Sequence, residues 1–294
     1  MGLARLARPA NLPTAAADII AGVSIGYYFF GKELLSASLV DIQQIALLVF
    51  SSVFLYAGGV ALNDVFDAKL DAVERPERAI PSGVVSVKMA GLYGVVLLII
   101  GCVIACVVSS LTGYIAMALA AAIILYDAAA KKHGFFGPLC MGICRGLNLF
   151  LGTAILESTS FWWMACIPIL YIFAITLISR GEVHGDNKNH IVLAGLLYAI
   201  VIGSLAFIMI KETDQMLIAS PFLLLFAFLI FKPLIKAYQE NSPAHIKAAV
   251  KAGVLSLVVM NACWAVGFGS IYVGLAVLVL LPCALLLSKL FAVT

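Results

Sequence analysis

Asn63, Asp67 and Asp71 recur every fourth residue in the stretch NDVFDAKLDAVERPERAIPSG (63–83). At 3.6 residues per turn this spacing puts all three on one helical face. Asp64 sits about 100° further round and joins from the flank. Oxygen-bearing side chains of like charge on one face repel, by ~0.2–0.5 kcal/mol per pair in an isolated helix, unless a cation lies among them. Mg²⁺ is typically held by carboxylates together with substrate phosphates. The pattern N-D-x-x-D-x-x-x-D therefore reads as a Mg²⁺–diphosphate platform with Asn63, Asp67 and Asp71 as ligands, and Arg75 and Arg78 can contact phosphate. The plainer alternative is a solvated helix end whose charges pair locally.

A second polar stretch, RGEVHGDNKNH (180–190), places Glu182 and Asp186 four residues apart. If it is helical, they share a face and form the other half of a cation clamp, with Lys188 as a neighbouring base. An ordinary loop is the alternative. His184 and His190 match no strong zinc spacing. A third stretch, YDAAAKKHGFFGPLCMGICRGLN (126–148), carries Lys131 and Lys132, then Arg145 inside an apolar run with Asn148 at i+3. A buried Arg is costly and should face a cavity and a counter-charge rather than lipid. Arg and Lys are the side chains that grip a diphosphate and stabilise it as it leaves. The Tyr126 ring can face a forming carbocation. Snorkelling of Arg145, ordinary basic-loop placement of the lysines and interfacial anchoring of Tyr126 stay open.

The elements that must hold these residues are apolar. Of 294 residues, 64% are hydrophobic and 11% charged. That is less than half the roughly 25% charge of a soluble domain. Apolar runs of membrane-spanning length recur along the whole chain, without the alternation of a β-barrel. Spans are expected at about 14–31, 41–62, 88–109, 112–127, 137–156, 161–179, 191–210, 216–232, 246–266 and 270–290. Only GFGS separates the last two, so the expectation is nine core helices and a tenth at the C-terminal end. The first run lacks a cleavage site and MGLARL lacks the Ser or Thr of a myristoylation signal, so neither a signal peptide nor that lipid is expected. The seven cysteines lie in apolar runs without a C-x-x-C pair and read as packing thiols. A net charge of +3 spread over loops argues against a nucleic acid partner. No charged ring or filter-like loop suggests a channel. With the N-terminus in the cytoplasm, all 18 Lys and Arg except Lys32 and Lys211 fall on the inner side. The two motif loops, about 63–87 and 180–190, then share that side, and Phe161–Trp163 lies in the outer aromatic belt. An acidic excess in an inner loop, where basic residues normally gather, favours a site over a solvated cap.

The first stretch resembles the first signature of the UbiA superfamily of intramembrane prenyltransferases: N-D-x-x-D-x-x-x-D, then an Arg-Pro-rich segment ending Ile-Pro-Ser-Gly. RPANLPTAAADIIAG (8–22) is similar to the run into that family's first helix. Tyr126 followed by Lys131-Lys132 resembles its Tyr…Lys-Arg segment, and SRGEVHGDN is similar to the UbiA-like branch called EboC. The resemblance covers essentially 1–294 as a single domain. It implies an all-α polytopic membrane protein, with nine transmembrane helices around a central cavity open to the cytoplasmic side and to lipid. It implies Mg²⁺ bridging an isoprenyl diphosphate to Asn63, Asp67 and Asp71, with Asp64 beside them, and to Glu182 and Asp186. Glu182 departs from the family's usual Asp. The implied reaction moves the isoprenyl group to a lipophilic acceptor among membrane lipids. Asp67, Asp71, Lys131, Arg145 and Asp186 would carry catalysis; Tyr126, Lys132, Asn148, Arg75, Arg78 and Lys188 would bind substrate. A non-catalytic carrier of an isoprenoid or lipid phosphate, or a subunit of a pathway complex, is the other reading of the same charges.

Overall fold

Ser and Pro residues mark where the apolar runs become helices in the computed structural model, which describes residues 2–182 and 185–291. A short α1 (Gly2–Leu6) precedes α2 (Leu12–Phe29), which has Pro13 in its first turn. Ser38 and Asp41 form a reciprocal capping box that starts α3 (Leu39–Phe66). A one-residue joint at Asp67 leads into α4 (Ala68–Glu74). Ser86 caps α5 (Val87–Val108) and Ser109 caps α6 (Ser110–Ala128). Then follow α7 (Phe136–Thr153), α8 (Cys166–Ser179), α9 (Lys188–Glu212), α10 (Met216–Glu240), α11 (Pro243–Phe268) and α12 (Ile271–Leu290). Gly269 and Ser270 separate the last two helices, as the GFGS break suggests, and Ser270 caps α12.

Among the described residues, nine helical segments are long and apolar enough to cross a membrane, from α3 and α5 through α12. The tenth long helix, α2, carries Asp18 within its apolar run. Large apolar side chains such as Leu92, Val107, Ile200 and Leu224 point outward. A band of that kind on a backbone satisfied within its own helices is what a bilayer requires. The chain is thus an integral multi-pass membrane protein.

Helices adjacent in sequence pack side by side from α5 round to α12, and α3 packs on α5. α2 lies inside this arrangement, against α3, α7, α11 and α12. Two large apolar cores result, beside two small clusters. One joins Ile19, Leu48, Leu55, Leu98, Leu119 and Leu151; the other joins Ile175, Val201, Phe226 and Trp264 from the second half. α11 is buried on every side from Ser256 to Phe268, as a helix apolar nearly all round should be, with Asn261 as its inward polar group. The α2–α7 crossing depends on glycine. A Cβ on Gly152 would stand 2.6 Å from the Ile19 carbonyl, and one on Gly22 would collide with the backbone at Leu149.

Candidate active site at the motif end of the bundle

α3 has 28 residues. At 1.5 Å per residue it is ~42 Å long, against a hydrocarbon core of ~30 Å. Its last turns therefore reach past the core and carry Asn63 and Asp64. The backbone N–H of Asp67 still bonds the Asn63 carbonyl at 2.9 Å, and that of Asp71 the Asp67 carbonyl at 2.8 Å. The four-residue rhythm of the motif thus continues through the joint, although Asp67 itself leaves helical geometry (φ −92°, ψ 2°).

The partners of the motif divide it into two pairs. Asp67 takes the Lys131 ammonium at 2.6 Å, and Asn63 donates to Asp127 Oδ1 at 2.7 Å. Lys131 also lies 3.8 Å from Asp127, four residues before it at the end of α6. Asp64 and Asp71 form the second pair. Both face the Arg78 guanidinium, at 3.4 and 2.7 Å, and Arg8 bonds Asp64 at 2.5 Å. Asp64 therefore partners Asp71 across Arg78 rather than flanking a single row. The Arg-Pro and Ile-Pro-Ser-Gly residues explain how Arg78 reaches them. Ile80 and Val85 bury against Leu6 and Ala61, while Gly83 turns the chain at φ +76°.

Among the described residues of the second stretch, 180–182 and 185–187 lie outside helices and only 188–190 are helical, as the start of α9. The Asn187 side chain donates to the carbonyls of Leu177 and Ile178 at 3.2 and 2.9 Å, ending α8. Gly185 and Asp186 have φ of +72° and +50°. Glu182 and Asp186 consequently share no helical face. Asp186 is exposed, whereas Glu182 is half-buried with Arg75 and Lys247 near enough to act on its charge. Burial raises the Glu182 carboxyl above its ordinary value, and those two cations partly offset the rise. Lys188 turns away, its ammonium 5.5 Å from the centre of the Tyr238 ring. His184 lies outside the described residues. His190 bonds Asn187 at 2.5 Å. Arg180 donates to the carbonyls of His133 and Gly134, tying the Lys131 loop to the end of α8.

Tyr126 is half-buried beside Asp127 and Lys132 is exposed. Arg145 and Asn148 have other partners. The counter-charge that Arg145 demands is Asp18, fully buried on α2, with Nε 2.7 Å from its carboxylate. Arg145 also donates to the Thr14 carbonyl at 2.7 Å. Asn148 donates to Asp18 at 2.8 Å and accepts from Ser52 at 2.7 Å, while Asn261 donates to Asp18 at 2.6 Å. This network ties α2, α3, α7 and α11 together, and both residues are committed to it. Sequence reasoning passed over Asp18, Asp127 and Arg8 as site residues. Their signals were a lone Asp in an apolar run, a D-x-x-x-K pair, and an Arg directly before Pro9.

The donor set of the motif is chemically suited to Mg²⁺: Asn63, Asp64, Asp67, Asp71 and Asp127 all offer hard oxygens. Among the described residues, no three His, Cys, Asp or Glu side chains converge as a ready metal site. Lys131 and Arg78 instead draw the carboxylates into separate ion pairs. Asp67 is the most open of the four, 24% exposed against 10% for Asp64, 6% for Asp71 and 2% for Asp127.

Acidic and basic residues thus interlock at one end of a polytopic helical bundle. The sequence profile of the UbiA prenyltransferase family matches residues 27–245, and the chain belongs to that family. Digeranylgeranylglyceryl phosphate synthase of Saccharolobus solfataricus is 32% identical over 194 residues, covering 64% of this chain and 65% of that protein. The synthase of Methanococcoides burtonii is 37% identical over 153 residues, covering 51% and 53%. The matched segments thus span half to two thirds of these curated relatives. A UbiA homologue from Archaeoglobus fulgidus superposes with a TM-score of 0.68 at 17% identity, covering 95% of this chain and 100% of that one. A structure of that homologue with GPP and Mg²⁺ bound gives 0.62 at 16% identity, covering 86% and 99%. These superpositions establish the shared fold.

Proposed function

We propose that the protein transfers an isoprenyl group from an isoprenyl diphosphate to a lipophilic acceptor inside the membrane, with the N-terminus and the site on the cytoplasmic side. One observation carries this reading: Lys131 and Arg78 are held against Asp67 and Asp71 at one end of a UbiA-type bundle. Bound Mg²⁺, held by Asn63, Asp67 and Asp71 with Glu182 and Asp186 from the second stretch, would neutralise charge on the diphosphate. The chain's own groups do the rest. The flexible Lys131 stem lets its ammonium pass from Asp67 to a phosphate oxygen. Arg8 and Arg78 fix the diphosphate by charge-assisted hydrogen bonds. The allylic C–O bond breaks and its electron pair leaves with the diphosphate. The acceptor nucleophile then bonds the allylic carbon and releases its proton. The surrounding apolar helices keep water from that carbon. Arg145 and Asn148 act at a distance, by fixing α7 against α2.

The names of the relatives make a prenylated glycerol phosphate the first acceptor to test. The similarity of residues 179–187 to the EboC branch makes a different acceptor the competing outcome. The assay uses detergent-purified protein, Mg²⁺ and geranyl, farnesyl or geranylgeranyl diphosphate, with that acceptor or a cell extract. Diphosphate release and a new lipid-soluble product are expected, and Asp67→Asn should reduce the rate by ~10²–10³, as loss of one preorganised electrostatic group does. Absence of Asp67-dependent release with every donor would sink the reading. The carrier alternative draws on the prior pairing of every motif carboxylate with the chain's own cations. It predicts saturable donor binding without diphosphate release.

A further inference from the structure

We propose a second amphiphile site at the end of the bundle opposite the motif loops: a groove between α8 and α9 that holds a zwitterionic phospholipid bearing a free ammonium. The recess has a volume of about 640 Å³, walled by Trp163, Leu170 and Phe207, with Lys211 and Glu212 at its polar end. Gly203 lies on its floor, and no atom stands within 4 Å of where a Cβ would be, so the missing side chain leaves real space. From Ile200 to Glu212 the groove follows α9 for ~18 Å by helix rise, close to the ~15 Å half-thickness of a bilayer core. An apolar trough of one-leaflet length with charges at one end fits a single lipid.

The charges select the headgroup. Among the described residues, neither Lys211 nor Glu212 forms an ion pair. Lys211 is matched to a phosphate and Glu212, one residue on, to an ammonium. At this end Glu33, Asp41, Glu157 and Asp214 accompany Glu212 against only Lys32 and Lys211, which disfavours an anionic headgroup. This site is independent of the transfer reaction.

The test is native mass spectrometry of the purified full chain, titrated with dioleoyl phosphatidylethanolamine, phosphatidylcholine and phosphatidylglycerol. Phosphatidylethanolamine should be retained about fivefold more tightly than the other two, as one interfacial ion pair implies. Glu212→Gln should erase that preference, Lys211→Ala should weaken all three, and Gly203→Phe should abolish retention. Equal retention of the three lipids, or no effect of Gly203→Phe, overturns the proposal. A readout that needs no groove-filling variant is quenching of tryptophan fluorescence by brominated-chain phosphatidylethanolamine. Because Trp162 beside it is itself exposed, the measurement uses a Trp162→Phe background: quenching should be saturable there and lost when Trp163→Phe is added, and persistence in the double variant overturns the proposal as well.

Discussion

Two kinds of charged residue coexist in this protein, and exposure separates them. Lys131 and Asp67 form a pair that solvent reaches only on the Asp67 side, 24% exposed, the Lys131 ammonium being buried against it. Asp18 and Arg145 form a pair that it does not reach. Removing one partner of such a buried pair leaves an uncompensated charge. Asp18→Ala should therefore destabilise the protein by ~3–5 kcal/mol, and the melting temperature in detergent should fall accordingly. Replacing Asp18 and Arg145 together by apolar residues should recover much of the loss. Glu182 gives the pH counterpart. Burial raises its carboxyl in the folded chain, so the folded state holds this proton more strongly than the unfolded one. Between the ordinary Glu value of about 4.3 and the raised one, stability falls as pH rises, and the charged form carries the full penalty above that window. Glu182→Gln should thus raise the melting temperature at neutral pH, and the gain should shrink as pH falls towards the ordinary Glu value. A gain that is independent of pH would refute the argument.

At the level of helices, the site depends on where rods stop and how closely they cross. α3 overshoots the bilayer core and leaves helical geometry at Asp67, which takes Lys131 while Asp64 and Asp71 share Arg78. α8 stops because Asn187 takes its last carbonyls, which denies Glu182 and Asp186 a common face. Neither break is visible in residue spacing, because an i, i+4 pattern assumes that the helix continues. The α2–α7 crossing is set by Gly22 and Gly152, each within a turn or so of Asp18 and Asn148. Gly152→Leu should push the helices apart and open the Asp18 network. The expected loss is at least that of an overpacked core, ~1–3 kcal/mol, together with loss of the monodisperse elution peak. A leucine tolerated there without change in melting temperature would show that the crossing is looser than the structure has it.

For the whole molecule, the distribution of Lys and Arg sets orientation. Lys132→Cys, at the motif end, should react with an impermeant maleimide only after the cells are opened, whereas Glu157→Cys, at the far end, should react in intact cells. The reverse pattern would place the site outside. Composition alone established a membrane protein, because a bilayer demands apolar runs of fixed length. The ten-helix order followed from those runs and from the GFGS break. The first acidic motif was equally legible, since four-residue spacing is a local property. The tertiary structure decided the partners: Asp127 with Asn63, Asp67 with Lys131, Arg8 with Asp64, and Asp18 with Arg145 across 127 residues of chain. Such pairings depend on which helices touch and at what depth, and in an apolar chain nearly every helix face is equally suited to contact. Local spacing fixes which side chains point together along one helix; only packing fixes which charge on another helix lies opposite them.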